Sequence, residues 1–413
     1  MKIKGVLLDA REQIEERRAS PAYLYDAIPF ERSLRLPEDK IYLIEKLLDK
    51  LIGTKGFYIK EQKLIDLEIL IANLINDKKR PIAISLNRNN WKQSIYYRTS
   101  YFMIDLVYKL KEKGYIKMNI GYKNPKESRF TKITATDKLL EYCPRLSNLV
   151  ISVPKELVEL RDDNKKLIEY KNTAKTFEIR DKLARINEVN SKCDIRYHQD
   201  KINAVLVAVF NRKFTLYGRL HTRGYSHYQG LSGEERKELT INGESVVELD
   251  FSGLHPYLLY AKEEIQNMGD PYSIVNDNPI ARPFLKHILL CLLNSENEIQ
   301  AEKAANKWLL DNHKERILLE SIGITRARPL IDSFKVAHKK ISHYFCSGKE
   351  TGLRIMNKDA AIALDIINHF GKQNIPILAI HDSFIVQEKH KSELLQTMKT
   401  IYKKHTGFRI KVK

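Results

Sequence analysis

Two short segments hold the residues best able to do chemistry. In the first, Val246 to Tyr257, an apolar, strand-like stretch runs into Asp250 within Leu-Asp-Phe-Ser-Gly-Leu. In the second, Ile375 to Val386, a similar stretch runs into Asp382 within His-Asp-Ser, at the tip of a hairpin expected between Ile377–Ile380 and Phe384–Val386. Taken singly, such aspartates are ordinary. One after a strand commonly caps a helix, and one in a tight turn does turn chemistry. Taken together, two strands that deliver carboxylates to one rim can hold a pair of divalent cations, the arrangement that serves in-line displacement at phosphorus.

Between the two lies Arg282-Pro283-Phe284-Leu285-Lys286, followed by the apolar run Ile288 to Leu293. Helical positions four apart share a face, so Arg282 and Lys286 project together from an otherwise hydrophobic segment. Pro283 suits a first-turn position, which starts the helix near Arg282. Two cations so placed could grip a triphosphate, or could be long side chains that keep their charges in water above a core helix.

The order Asp-Phe-Ser-Gly-Leu, then Arg-x-x-x-Lys, then His-Asp-Ser resembles motifs A, B and C of the family A polymerases. Tyr217-Gly218-Arg219-Leu220, with Gln229 ten residues after Arg219, resembles the element before motif A that touches the primer-template minor groove. Gly269-Asp270-Pro271-Tyr272 resembles the acidic-aromatic segment between motifs A and B. The resemblance runs from about Ile151 to Lys413, and is nearest to the compact polymerases and primases of plasmids, phages and other mobile elements.

The resemblance implies two Mg²⁺ ions, with Mn²⁺ as a substitute, held by Asp250, Asp382 and the backbone carbonyl of Phe251. It implies Arg282 and Lys286 on the nucleotide phosphates, His255 and Asn294 beside the nucleotide, and Arg219, Gln229 and His381 on the primer-template. Three departures bear on specificity. The family's DNA polymerases carry a sugar-gating glutamate five residues after the motif A aspartate, where this chain has His255. The aromatic expected eight residues after the motif B lysine is Asn294, and motif C ends in serine, as in the related RNA polymerases. The first two departures each remove a group that would reject a ribonucleotide or demand a preformed duplex, the third leaves Asp250 and Asp382 as the only motif carboxylates for metal, and strand initiation without a primer is expected beside extension. No proofreading exonuclease signature is visible.

Composition points to the same kind of partner. The 413 residues include 71 Lys plus Arg against 52 Asp plus Glu, a formal charge of +19. Such an excess draws polyanions and exceeds what solubility requires. The 4 cysteines, Cys143, Cys193, Cys291 and Cys346, include no Cys-x-x-Cys pair, which argues against zinc fingers and a disulfide framework. No leader peptide and no apolar run of about 20 residues is seen, so no membrane partner and a cytoplasmic location are expected.

Residues 1–150 read as a separate winged-helix-like module. Lys40–Ile52, Gln62–Ile75 and Thr99–Lys113 have helical spacing; strand-like segments at Tyr115–Tyr122 and Arg129–Thr134 follow. The helix from Thr99, with Lys109, would lie in a major groove, and Lys123, Lys126 and Arg129 of the wing on phosphates. Residues 151–210 are expected to form a connector, with a hairpin turning at Asp162-Asp163-Asn164 and a polar helix, Thr173 to Asn190, as a reduced thumb. Residues 211–413 would form palm and fingers, with helices over Lys303–His313, Pro329–His343 and Asn357–His369.

The expected class is α+β: an antiparallel palm sheet with helices, helical fingers and the amino-terminal module. The expected activity is DNA polymerase and primase chemistry for a mobile element, on a DNA template and primer with nucleoside triphosphates. A helicase and a single-strand-binding protein are the implied partners. Two other readings stay open: a DNA-binding replication initiator with an inactive polymerase-like domain, and a small single-subunit RNA polymerase.

Overall fold

A computed structural model describes residues 27–52, 57–76, 80–122, 130–143, 150–224, 227–266, 269–275, 278–348 and 350–413. Lys123, Lys126 and Arg129, the expected wing cations, lie outside them. The chain forms two compact units, one of residues 1–156 with 223–225, the other of 157–222 with 226–413.

The first unit holds helices α1 (Ile41–Ile52), α2 (Phe57–Asn76), α3 (Phe102–Glu112) and α4 (Asp137–Tyr142). Its strands are β1 (Ile28–Pro29), β2 (Leu34–Arg35), β3 (Ile82–Ile84), β4 (Ile116–Asn119), β5 (Thr131–Ala135) and β6 (Ile151–Ser152). β3, β5 and β4 pair antiparallel, β1 adds parallel to β3, and β2 pairs with β6. α2 is apolar nearly all round, and Leu67, Leu70, Ile71 and Leu74 are buried, as befits a helix at the centre of a core. Its buried polar side chains are bonded. Asp66 accepts from Ser100, Glu68 from the Leu36 amide, and Asn73 bonds both backbone groups of Glu31. α3 buries Met103, Leu106, Val107 and Leu110. Lys109 donates to the Leu51 carbonyl at 3.4 Å, so its ammonium serves the end of α1. The outer face of α3 carries Tyr101, Tyr108 and Lys111 beside Asp105 and Glu112, a face of mixed charge.

The second unit begins with β7 (Val158–Arg161), α5 (Ala174–Ser191), β8 (Ile195–Tyr197), β9 (Asp200–Lys201), β10 (Leu206–Asn211) and β11 (Lys213–Thr222). The expected turn after β7 is present: Asp162 Oδ1 accepts from the amides of Asn164 and Lys166. Then come α6 (Gly233–Arg236), β12 (Leu239–Ile241), β13 (Glu244–Asp250), α7 (Leu254–Lys262), α8 (Arg282–Asn294), α9 (Glu298–Asp311), α10 (His313–Ser321) and α11 (Arg328–Ala337). α12 (Glu350–Lys372), β14 (Leu378–Ile380), β15 (Ser383–Gln387) and α13 (Lys391–Thr406) close the chain. One sheet runs β14-β15-β13-β12-β8-β9, and a second runs β11-β10-β7, with β7 parallel to β10.

Residues 157–210 of the expected connector lie in the second unit. Helix α5, read as a polar thumb, buries Ile179, Leu183, Ile186 and Val189 in the core of this unit. Its cations are engaged: Lys182 pairs with Asp365 at 2.7 Å, and Arg185 bonds Asn368 at 2.8 Å, both on α12. The charge run thus fastens α5 to α12 over a hydrophobic stripe, leaving little free charge to clamp a duplex. α12 begins earlier and is longer than its expected span, and it packs against β11, α5, α13, α8 and α7.

Candidate active site

The register of β13 and β15 decides the geometry. Asp250 pairs with Ser383, and Val246 with Gln387, so the last residue of β13 lies beside the tight turn between β14 and β15. That turn is His381-Asp382, with His381 at φ 58°, a left-handed conformation uncommon outside glycine. The Phe251 amide donates to the Asp382 carbonyl at 3.3 Å, and Asp250 exchanges two backbone bonds with Lys413. The two acids therefore share one rim of the sheet.

Side chains from outside the sheet hold the hairpin. β14 is an edge strand, and its outward backbone groups would otherwise be open to mispairing. Tyr228 donates to the Ala379 carbonyl at 3.0 Å and accepts from its amide, while Asn190 clips both groups of Ile377. Gln229 donates to the Ala379 carbonyl at 2.8 Å and accepts from the Thr222 amide. Expected on the primer-template, its carboxamide is instead bonded inside the protein, where it steadies the strand that leads to Asp382. Ser383 donates to Glu248 at 2.6 Å, and Arg236 grips the same carboxylate at 2.8 and 2.9 Å. The serine of His-Asp-Ser thus locks the turn to β13.

The electrostatics of the rim are those of an unfinished site. Burial pushes the Asp250 carboxyl up to about 6, helped by the Asp382 charge and opposed by Lys413 and Lys286. Asp382 is also raised, by burial first and the Asp359 charge next. Lys413 Nζ is 3.9 Å from Asp250, and among the described residues no hydrogen bond reaches the Asp250 carboxylate. Two hard oxygen donors pushed toward protonation are a donor set that a divalent cation relieves. The pair stands without a third member: among the described residues no cluster of three or more His, Cys, Asp or Glu could hold a metal.

Helix α8 supplies the cations. Pro283 lies in its first turn, and Arg282 and Lys286 share a face, with Phe284, Leu285, Ile288 and Leu289 buried on the other. Lys286 is exposed, and its charge is felt at Asp250. Arg282 pairs with Asp270 and lies 5.2 Å from the Tyr272 ring centre; Lys286 is 5.9 Å from it. The buried Tyr272 phenol is pushed up by burial and then by the Asp382 charge. Its loop is fastened from α11, where His338 accepts from the Tyr260 hydroxyl and donates to the Pro271 carbonyl at 2.7 Å. Gly253, at φ 68°, opens α7, and a Cβ there would come within 2.8 Å of Pro271.

Arg219 sits after a kink in β11. Tyr217 and Gly218 both have positive φ, and the register with β10 shifts there, a bulge that re-aims the next side chain. Arg219 donates to Asp359 Oδ2 at 3.2 and 2.8 Å, and its Nη2 lies 3.2 Å from His255 Nε2. Asp359 was missed by sequence reasoning because its partners are so remote along the chain. Lys413 and Glu248 were missed too. His381 is half-buried, and burial with the Arg219 charge lowers its imidazole to about 4, leaving it neutral; among the described residues its Nδ1 has no partner. Asn294, expected beside the nucleotide, donates to the Leu290 carbonyl and packs so tightly on Gly352 of α12 that a Cβ there would collide with it. It serves helix packing.

No protein-family model and no curated protein matches the chain. Among solved structures, it is similar to the POL domain of Pol1 from M. smegmatis, in complex with DNA primer-template and dNTP, at 10% identity and a TM-score of 0.29. That alignment covers 92% of this chain and 66% of the other; so loose a superposition does not establish a shared fold. Among the described residues, no helix is long and apolar enough to cross a membrane.

Proposed function

We propose that the chain carries out template-directed nucleotidyl transfer on DNA, as a polymerase able to start strands as well as extend them, in the replication of a mobile element. The observation that carries this reading is the β13–β15 register. It sets two under-compensated carboxylates on one rim within the field of a helix that presents Arg282 and Lys286. Asp250 and Asp382, with the Phe251 carbonyl, would hold two Mg²⁺ ions. When bound, these ions acidify a primer 3′-hydroxyl and balance charge on the triphosphate. Lys286 meets the phosphates and can hand a proton to the departing pyrophosphate. Arg282, steadied by Asp270 and the Tyr272 face, fixes the triphosphate's orientation. His255 stands where a sugar-gating carboxylate would exclude a 2′-hydroxyl, so both sugars are tolerated. The amino-terminal unit is read as holding the template strand through phosphate contacts.

The experiment is a primed DNA template with Mg²⁺ and labelled deoxy- or ribonucleotides, repeated on unprimed single strands. Extension by the wild type, absent in Asp250→Ala and Asp382→Ala while DNA binding persists, is the expected result. Clear residual extension in both variants defeats the metal assignment. DNA binding with no extension by the wild type would favour an initiator whose polymerase-like unit is inactive.

A further inference from the structure

The buried carboxylate of Asp359 has no part in the chemistry just described, yet it is held by two hydrogen bonds from Arg219. It is 2% exposed and lies in the middle of α12. Arg219 reaches it with Nε and Nη2, and His255 Nε2 lies 3.7 Å from the same oxygen. Burial opposes its ionisation, but the nearby His255 ring and the charge of Arg219 outweigh that, so it stays ionised. Arg219 and His255 are themselves only 15% and 17% exposed, so the three form a nearly buried polar cluster. Of the charged neighbours that act on Asp382, Asp359 is the strongest, followed by His255 and Arg219.

We propose that Asp359 is a positioning residue that anchors and neutralises Arg219, so that Asp382 keeps its carboxylate for a divalent cation. The physical argument is competition. A guanidinium is a permanent cation with a two-pronged donor edge that matches a carboxylate. Close to Asp382 and without a partner of its own, Arg219 would pair with Asp382 and exclude the metal. Asp359 prevents this by taking two donors of Arg219. The bulge at Tyr217-Gly218 aims the arginine there, and Gly218 permits it: a Cβ at 218 would come within 2.8 Å of Asn357, also on α12. The Arg219 contact in turn fixes the His255 ring, so the group that replaces a sugar gate is held by the same acid.

The inference rests on reading Asp250 and Asp382 as cation ligands, and its test separates the two. Mn²⁺ is titrated into the full-length, nucleotide-free protein and followed by water-proton relaxation, a readout independent of turnover. Wild type should bind, and Asp250→Asn should not. If wild type shows no Asp250-dependent binding, the cation reading fails and this inference with it. If it binds, Asp359→Asn should weaken Mn²⁺ by about tenfold or more, the scale of an added charge at a few ångströms. The double variant R219Q/D359N, which removes competitor and anchor together, should return to within about threefold of wild type on the same scale. A role for Asp359 in stability alone predicts no such rescue. Wild-type affinity in D359N, or a double variant as weak as D359N, overturns the proposal. Should D359N fail to fold, R219Q and the double variant decide: affinity at or above wild type in both supports the anchor, and weakened affinity in both overturns it.

Discussion

Asp66, in the first unit, and Asp250, in the second, are both pushed up to about 6, and they teach different lessons. Asp66 is fully buried on α2, yet it accepts from the Ser100 amide at 2.9 Å, the Ser100 hydroxyl at 2.5 Å and Gln62 at 3.2 Å. Its shift reflects burial opposed by those bonds; the acid is finished. Asp250 is 35% exposed, has a second acid beside it, and its nearest cation is 3.9 Å away. Its shift reflects burial and like charge together, opposed by the Lys413 and Lys286 charges and not by hydrogen bonds. A perturbed carboxyl therefore marks a functional site only when its bonds are incomplete.

The largest expected effect sets the two acids against each other. Asp250→Asn should remove at least about a thousandfold of nucleotide incorporation with the fold retained, since a metal-binding carboxylate supplies several kcal/mol at the reacting centre. Asp66→Ala should do the reverse. Leaving the Ser100 amide and hydroxyl unpaired in a buried place costs about 2–4 kcal/mol, seen in denaturant unfolding, while the folded fraction keeps its turnover number. Equal effects on stability and turnover in the two variants would break the contrast.

Next in size, Lys286→Ala should lower turnover by about a hundredfold, as loss of one electrostatic donor does. Arg282→Ala should cost less, because its charge is partly used by Asp270. Steady-state kinetics on a primed template distinguish them, and the reverse order would refute the assignment.

The pH dependence of stability follows from the sign of the shift. A carboxyl whose folded pKa lies above its unfolded value binds its proton more tightly when folded. Its contribution to stability is then lost as pH rises from about 4 to about 6 and is level above. In metal-free buffer, Asp250→Asn should become more stable than wild type across that window by about 1 kcal/mol, a figure discounted for partial exposure. Added Mg²⁺ should close the gap by stabilising wild type alone. A gap that opens below pH 4 instead would contradict the shift. The smallest effect concerns the aromatic: Tyr272→Leu should raise the nucleotide KM about threefold, the scale of a half-exposed cation–π contact.

Much of the candidate site was legible because its parts are local. A strand ending in Asp250, a tight turn carrying Asp382, and an i, i+4 pair behind a first-turn proline are short-range patterns, and the structure brings them together. Asp359 was not legible: it is one acid in a long amphipathic helix, and its partner Arg219 is 140 residues away. The internal partners of Gln229 and Asn294 were not legible for a related reason. Their backbone and helix-packing partners, Ala379 and Gly352, can be found only once the chain is folded. In the amino-terminal unit, α1 to α3 and the β4–β5 pair follow from apolar spacing. The two- and three-residue strands β1 and β3 are too short to leave a periodic signal.

The most direct test of template-directed transfer supplies one nucleotide at a time on primed templates that differ only in the first unpaired base. The account predicts incorporation of the complementary nucleotide alone, dependent on Mg²⁺ and absent in Asp382→Asn. Incorporation indifferent to the template base, or undiminished in Asp382→Asn, would contradict it.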